Sequence, residues 1–252
     1  AVIVSAGTAL RSLLLNGIQP DIQIETENID VEPVVAETNR QHAVKDIPLI
    51  ASATTDPKAV AFFGDVRYFF RVPLTPTQVF CDDHSNCLLD ANITVGNAAL
   101  AFAQELGFRD IYMFGMDMGS RVPAEHHSKD SYHYTDGAIV VEPDLKFDIE
   151  RPANFGGVSY TSVGLSVAMR HIEQSIARHG AARRHFNCSD GSAFKGAGAK
   201  RSADIRLTDP TPGRKDAVLD KIFGYFPVMT EGAFAARWDG AKARAACRAA
   251  FD

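Results

Sequence analysis

Residues 94–115 read TVGNAALAFAQELGFRDIYMFG. Apolar residues recur at helical spacing through Leu106, Thr94 stands where an N-cap belongs, and Gly107 closes the pattern. The IYMF run that follows is apolar at successive positions, as in a strand buried on both faces. A helix feeding directly into such a strand is half of a parallel α/β unit, because parallel neighbours need a covering crossover.

The same alternation extends toward the N-terminus. AVIVSAG (1–7) is strand-like and leads into GTALRSLLLNG, where Thr8 is placed to cap a helix with Leu10, Leu13 and Leu14 as its buried stripe and Gly17 as its stop. DIQIETEN (21–28) alternates as a strand with one covered face and ends in acidic and amide groups. IPLIASA (47–53) and VRYFFRV (66–72) are two more strands, separated by the helix-like DPKAVAFFG with Pro57 in its first turn.

Beyond Gly115, residues 116–160 form a long, weakly patterned loop, a length that in a compact domain is commonly functional. TSVGLSVAMRHIEQSIARHG (161–180) predicts an amphipathic helix closed by Gly180, followed by the strand-like ARRHFN and the loop CSDGSAFKGAGA. GRKDAVLDKIFGYF and EGAFAARWDGAKARAACRAAF read as C-terminal helices. The expected organisation is a Rossmann-like domain over 1–212, a mostly parallel sheet with helices on both faces, and a helical segment over 213–252.

Composition sets the outer limits. The 252 residues are 46% hydrophobic and 23% charged, which suits a soluble globule. A formal charge of -5 disfavours a broad nucleic-acid footprint, so no nucleic-acid partner is expected. No apolar stretch approaches a membrane span and no signal-peptide layout is present, so a cytoplasmic setting without membrane contact is expected. The four cysteines (Cys81, Cys87, Cys188, Cys247) are spaced too widely for a disulfide framework. The chain begins on a strand-like run rather than on Met, as an excerpt of a longer protein would.

Chemistry concentrates where strands should end. No Walker P-loop and no GxGxxG occur, which disfavours a P-loop NTPase or a dinucleotide oxidoreductase. SAGTAL brings Gly7 and Thr8 to a strand-to-helix turn whose free N–H groups suit a phosphate, or serve only as a capped βα turn. TVGNAAL repeats that shape with Thr94 and Asn97, the latter able to donate and accept toward a base or sugar. Glu25, Glu27 and Asn28 end the second strand, where carboxylates hold sugar hydroxyls, Mg²⁺ or a proton, or simply meet solvent.

GMDMGSRVPAEHHSKDSYHY (115–134) places Asp117 between glycines, then His126, His127 and His133 with Ser131, Tyr132 and Tyr134. The imidazoles suit acid–base or anion-binding roles, and with no HExxH or thiolate pair a metal site is not expected. CDDHSNC (81–87) lacks the spacing of a zinc knuckle. NFGG (154–157) and NCSDG (187–191) are turn-formers, the second able to aim Asn187 and Ser189 into a crevice.

Taken together and in order, GTALRSLLLNGIQPD, IETEN, TVGNAALAFAQELGFRDIYMFGMDMG, HHSKDSYHY, NFGG and FNCSDGSAFKGA resemble the bacterial motility accessory factor family, the Maf flagellin glycosyltransferases, over about residues 1–200. The resemblance implies a sialyltransferase-like domain that moves a nonulosonic acid (pseudaminic or legionaminic acid) from its CMP-linked donor to Ser or Thr of flagellin, a step needed for flagellum assembly and motility. It further implies a crevice lined by Gly7, Thr8, Glu25, Glu27, Asn28, Thr94, Asn97, Asp117, His126, His127, Ser131 and Tyr132. Family members carry a Gly-Pro-Ser-Leu turn upstream of the first strand, which this sequence starts after, so part of the nucleotide site is expected to lie outside it.

The same domain is similar to archaeal hydroxymethylpterin pyrophosphokinases, which gives the alternative: an ATP- and Mg²⁺-dependent diphosphotransferase with Glu25, Glu27 and Asp117 around the metal. A non-catalytic flagellin-binding module is the remaining alternative. For the glycosyltransferase no cofactor is required, Mg²⁺ being the one candidate ion. A base among His126, His127, His133 and Asp117 takes the acceptor's proton, while Tyr132 or Tyr134 hydrogen-bonds the departing phosphate.

Overall fold

The structure is a computed structural model and describes residues 1–28, 31–72, 74, 77, 87–122, 146–180, 182–207, 211–226, 232 and 239–249. Its principal sheet is five-stranded, parallel and in sequential order: β1 (Val4–Ala6), β2 (Ile22–Glu25), β3 (Leu49–Ser52), β4 (Val66–Arg71) and β5 (Cys87–Leu88). The helices α1 (Ala9–Leu15), α2 (Glu32–Gln41) and α3 (Pro57–Val60) fall between them, followed by α4 (Val95–Glu105). A second parallel sheet has the order β10-β9-β6, built from β6 (Asp110–Met113), β9 (Arg184–Asn187) and β10 (Gly198–Ala199). α5 (Val163–His179), α6 (Arg214–Gly224) and α7 (Gly240–Ala249) complete the described helices.

The first sheet is covered on both faces, and its sequence says why. β3 is apolar enough to be buried at every position, with Leu49 and Ala51 turned to one core and Ile50 to the other. The first core joins Leu10, Val35, Val60 and Phe63 from the α1–α3 side. The second joins Ile22, Ile24 and Phe69 to Ala98, Ala101 and Phe102 of α4 and to Ile222 of α6. A third core packs Leu100 of α4 and Ile111 and Met113 of β6 against Met169, Ile172 and Ile176 of α5. α4 therefore contributes to two cores with two of its faces, which explains why its sequence is apolar almost all round.

Two local expectations are corrected. Thr8 occupies the N-cap position of α1, but its side chain makes no capping bond. The stretch 116–160 is not featureless: β7 (Ile149–Pro152) and β8 (Val158–Thr161) form an antiparallel hairpin whose connecting loop uses Gly156 and Gly157 at φ +92° and +78°. Residues 123–145 lie outside the described residues. Among the described residues Cys87, Cys188 and Cys247 are free, and no helix is long and apolar enough to cross a membrane.

Candidate functional site at the carboxyl edge of the strands

The turns after β1 and before α4 meet. Gly7 adopts φ +52°, and a β-carbon there would lie 2.9 Å from Val95 Cγ1, so only glycine permits the contact. Its backbone is tied to β2 by Gly7 N–H donating to the Ile24 carbonyl at 3.0 Å and by Gln23 Nε2 donating to the Gly7 carbonyl at 3.1 Å. Thr94 caps α4 in a reciprocal box: its Oγ accepts from Asn97 N–H, and Asn97 Oδ1 accepts from Thr94 N–H, each at 3.3 Å. Asn97 Nδ2 donates to the Ala168 carbonyl of α5 at 3.0 Å. The buried Asn97 thus builds the site's frame; its amide is spent on the helices and is not presented to a ligand.

On the far side of α4 the ends of β6 and β9 interlock. Gly96 packs against Met116, whose N–H donates to Ser189 Oγ at 3.1 Å. The Asp117 carboxylate accepts from its own N–H and that of Gly191, while its carbonyl accepts from Ser192 N–H at 2.8 Å. Burial, and then the charge of Asp190, push the Asp117 carboxyl above the ordinary carboxylate range. Met118 follows at φ +46°, a conformation that Asn or Gly adopts far more readily than a residue with a long side chain. Its carbonyl accepts Thr161 Oγ1–H at 2.6 Å, which holds the turn against β8.

Asn187 and Ser189 sit here as expected from NCSDG, but with structural duties. Asn187, fully buried, donates from Nδ2 to the Ser192 carbonyl at 3.0 Å and accepts Ser189 N–H at 3.1 Å. Two further residues were not singled out by the sequence. Asn154, read only as part of a turn-forming NFGG, donates from Nδ2 to the carbonyls of Asn187 (2.9 Å) and Ser189 (2.8 Å). Arg121 pairs with Asp190 at 2.7 Å and donates to the Val158 carbonyl at 3.1 Å, clasping this loop to the hairpin.

Toward the other strands, Glu25 is buried rather than solvated. Its Oε1 accepts from the N–H groups of Thr26 (2.8 Å) and Glu27 (3.2 Å). Burial nevertheless dominates and raises its pKa from 4.5 to about 7. Glu27 and Asn28 are exposed at the same strand end. Arg71, at the end of β4, donates from Nη2 to Thr54 Oγ1 (3.1 Å) and the Thr26 carbonyl (3.3 Å), a cation that in VRYFFRV is one strand position among others.

The structure thus brings together Gly7, Thr94, Asn97, Asp117, Asn187 and Ser189, with Glu25, Glu27 and Asn28 on the neighbouring strand. His126, His127, His133, Ser131, Tyr132 and Tyr134 lie outside the described residues. Of the three carboxylates in the diphosphotransferase alternative, Glu25 is buried, Glu27 is exposed and Asp117 lies in the turn after β6.

Comparison with known proteins sharpens this geometry. Residues 1–122 match a family model described as 6-hydroxymethylpterin diphosphokinase MptE-like. Among solved structures, the chain is similar to a MAf glycosyltransferase from Magnetospirillum magneticum AMB-1, with 36% identity and a TM-score of 0.81, over 95% of this chain and 35% of that one. The chain therefore spans about a third of the length of that relative. No curated protein matches.

Proposed function

The chain belongs to the Maf glycosyltransferase family, and from that premise we propose that it carries the donor-binding and catalytic edge of a protein glycosyltransferase. The observation that supports the reading most is the junction at α4, where the Gly7 turn, the capped Thr94 turn, Asp117 and the Asn187–Gly191 loop meet at the carboxyl ends of β1, β6 and β9. Ligands of parallel α/β sheets bind at that edge.

The donor we assign is a CMP-linked nonulosonic acid, and the acceptor a Ser or Thr hydroxyl of flagellin. The bond from the anomeric carbon to the phosphate oxygen breaks as the acceptor oxygen attacks, the phosphate leaves with the electron pair, and the acceptor's proton passes to a base. A phosphate is already a competent leaving group, so the protein chiefly orients the reactants and stabilises developing charge. His126, His127 and His133 supply the imidazole base, Tyr132 or Tyr134 a hydrogen bond to the leaving phosphate, and Ser131 a further donor-binding hydroxyl. In this scheme Asp117, a stronger base than a solvated carboxylate, shares the proton. Thr8 contributes a turn N–H group to the phosphate, the Gly7 N–H being given to the Ile24 carbonyl, and Glu27 and Asn28 contact sugar hydroxyls. No step in this scheme needs a metal.

The deciding test is a thermal-shift screen of the chain with CMP, CDP, UDP, GDP and ATP, followed by transfer to flagellin in the presence of EDTA. Stabilisation by CMP and EDTA-tolerant transfer are expected. Selective stabilisation by ATP with strict Mg²⁺ dependence would overturn the reading in favour of a diphosphotransferase.

A further inference from the structure

Arg71 and Thr26 hold two polar atoms without partners among the described residues. Arg71 Nε and Thr26 Oγ1 are both buried, and neither has a hydrogen-bond partner there. The two residues are in contact, since Arg71 Nη2 donates to the Thr26 carbonyl at 3.3 Å. Thr26 is only 2% exposed. Orphaned buried donors and hydroxyls are rare in folded proteins, because each forfeits its hydration without recompense.

The surroundings do not explain the pair as scaffolding. Thr54 Oγ1, which accepts from Arg71 Nη2 at 3.1 Å, is fixed in turn by the Ser52 hydroxyl at 2.9 Å. Thr55 Oγ1 donates to the Glu25 carbonyl at 3.1 Å, so the ends of β2 and β3 are locked beneath the guanidinium. Among the described residues Arg71 forms no ion pair with a carboxylate; Glu27 is the charge it senses, and burial still depresses the guanidinium pKa from its ordinary value. A cation desolvated at the ligand edge of a parallel sheet, short of counter-charge and with an unused N–H, is an incomplete oxyanion site.

We propose that Arg71, with the hydroxyls of Thr54 and Thr26, forms an oxyanion subsite at the carboxyl ends of β2, β3 and β4, separate from the Asp117–Ser189 junction, which holds an anionic group of the substrate. This deepens the glycosyltransferase reading and rests on it for the identity of that substrate. A CMP-linked nonulosonic acid carries two groups of this chemistry, the nucleotide phosphate and the sugar carboxylate. Either would accept from Arg71 Nε and from the Thr26 hydroxyl, neutralising a cation that no carboxylate among the described residues pairs with.

The test measures binding to the full chain of four probes at low ionic strength: CMP, cytidine, inorganic pyrophosphate and N-acetylneuraminate, the last beside its methyl ester. Arg71→Ala, Arg71→Lys and Thr26→Val are compared with the unsubstituted chain, each checked for a native unfolding transition. A CMP affinity at least tenfold weaker in Arg71→Ala, partly restored in Arg71→Lys, with cytidine unchanged, assigns the subsite to the phosphate. The same loss confined to N-acetylneuraminate, with its methyl ester indifferent, assigns it to the carboxylate. Pyrophosphate binding that depends on Arg71 in a chain indifferent to CMP keeps the subsite and overturns the donor. CMP, pyrophosphate and N-acetylneuraminate affinities that are unchanged in Arg71→Ala, a parallel loss of cytidine, or an unsubstituted chain that binds none of the probes, would each overturn the subsite. Because Thr26→Val removes only the hydroxyl at nearly constant volume, it decides the question should Arg71→Ala fail to fold. A fewfold loss confined to the same anion supports the subsite, and unchanged anion binding refutes it.

Discussion

A β-carbon at position 191 would fall 2.3 Å from the carbonyl oxygen of Asp117, so the two backbones approach as closely as they do only because Gly191 has no side chain. That contact sets the Asp117 carboxylate against the Gly191 N–H and seats the NCSDG loop beside β6.

Gly191→Ala must therefore push the two segments apart. The clash is with backbone, which cannot swing aside as a flexible side chain can, and a destabilisation of roughly 1–3 kcal/mol is expected. Transfer activity should fall more steeply than stability, because Asp117 and Ser189 shift together. Chemical unfolding and turnover measured on the same preparation check this; an unchanged midpoint with full activity would show that the contact is slack.

Glu25 predicts a pH dependence with a definite sign. Its folded-state pKa, about 7, lies above the ordinary 4.5, so the folded chain binds this proton over a pH range in which the unfolded chain has released it. Stability from this group is present below pH 4.5 and declines as the pH rises through 7. The gap corresponds to about 3 kcal/mol as an upper bound. Glu25→Gln keeps an oxygen for the Thr26 and Glu27 N–H groups and should flatten the stability curve between those pH values. Curves that stay parallel would contradict the assignment.

The cap of α4 separates local from tertiary contributions. Thr94→Ala removes one acceptor and should cost about 1 kcal/mol. Asn97→Ala removes the reciprocal bond and also the interhelical donor to the Ala168 carbonyl, which keeps only its partner within α5, and should cost about 2 kcal/mol. Equal losses in urea unfolding would mean that the interhelical bond contributes little.

Asn154 holds two carbonyls with one amide nitrogen. Asn154→Asp replaces that donor with a carboxylate facing both oxygens and should impair transfer more than Asn154→Ala does. About tenfold between the two variants is expected, from the repulsion added to the lost bonds. Kinetics on the two variants, with donor affinity measured separately, test the order.

Among His126, His127 and His133, one substitution by Ala is expected to reduce transfer by about 10²-fold or more while donor affinity holds, as befits loss of a general base. Undiminished turnover in all three variants would remove the imidazoles from the mechanism.

Local pattern carried much of this molecule. The helix–strand unit at 94–113 is legible because its period, cap and closing glycine agree, and the N-terminal strands because their apolar runs sit between turn-formers. The β7–β8 hairpin escapes because its strands are four residues long, β7 contains Pro152 and buries none of its positions fully, and the positions that β8 buries are the polar Ser159 and Thr161. Asn97 reads as ligand-facing in one dimension, since nothing in TVGNAAL reveals that α5 will cover it. Glu25 reads as a solvated strand end for the same reason. Arg71 was invisible as a site residue because a cation near the end of VRYFFRV looks like any exposed strand position until its neighbouring strands are known. Arg121 and Asp190 pair across 69 positions, a relation no local window contains.

Because α4 lends one flank to each of two cores, it behaves as a keel beneath the reacting groups. Its first turn touches Gly7 through Val95 and Met116 through Gly96. A tilt or slide of this one rod would therefore carry the first-strand loop and the aspartate-bearing loop together, preserving their spacing while changing their aim. Repacking at Ala98 or at Leu100, on opposite flanks and remote from any substrate, should consequently be felt at the same place.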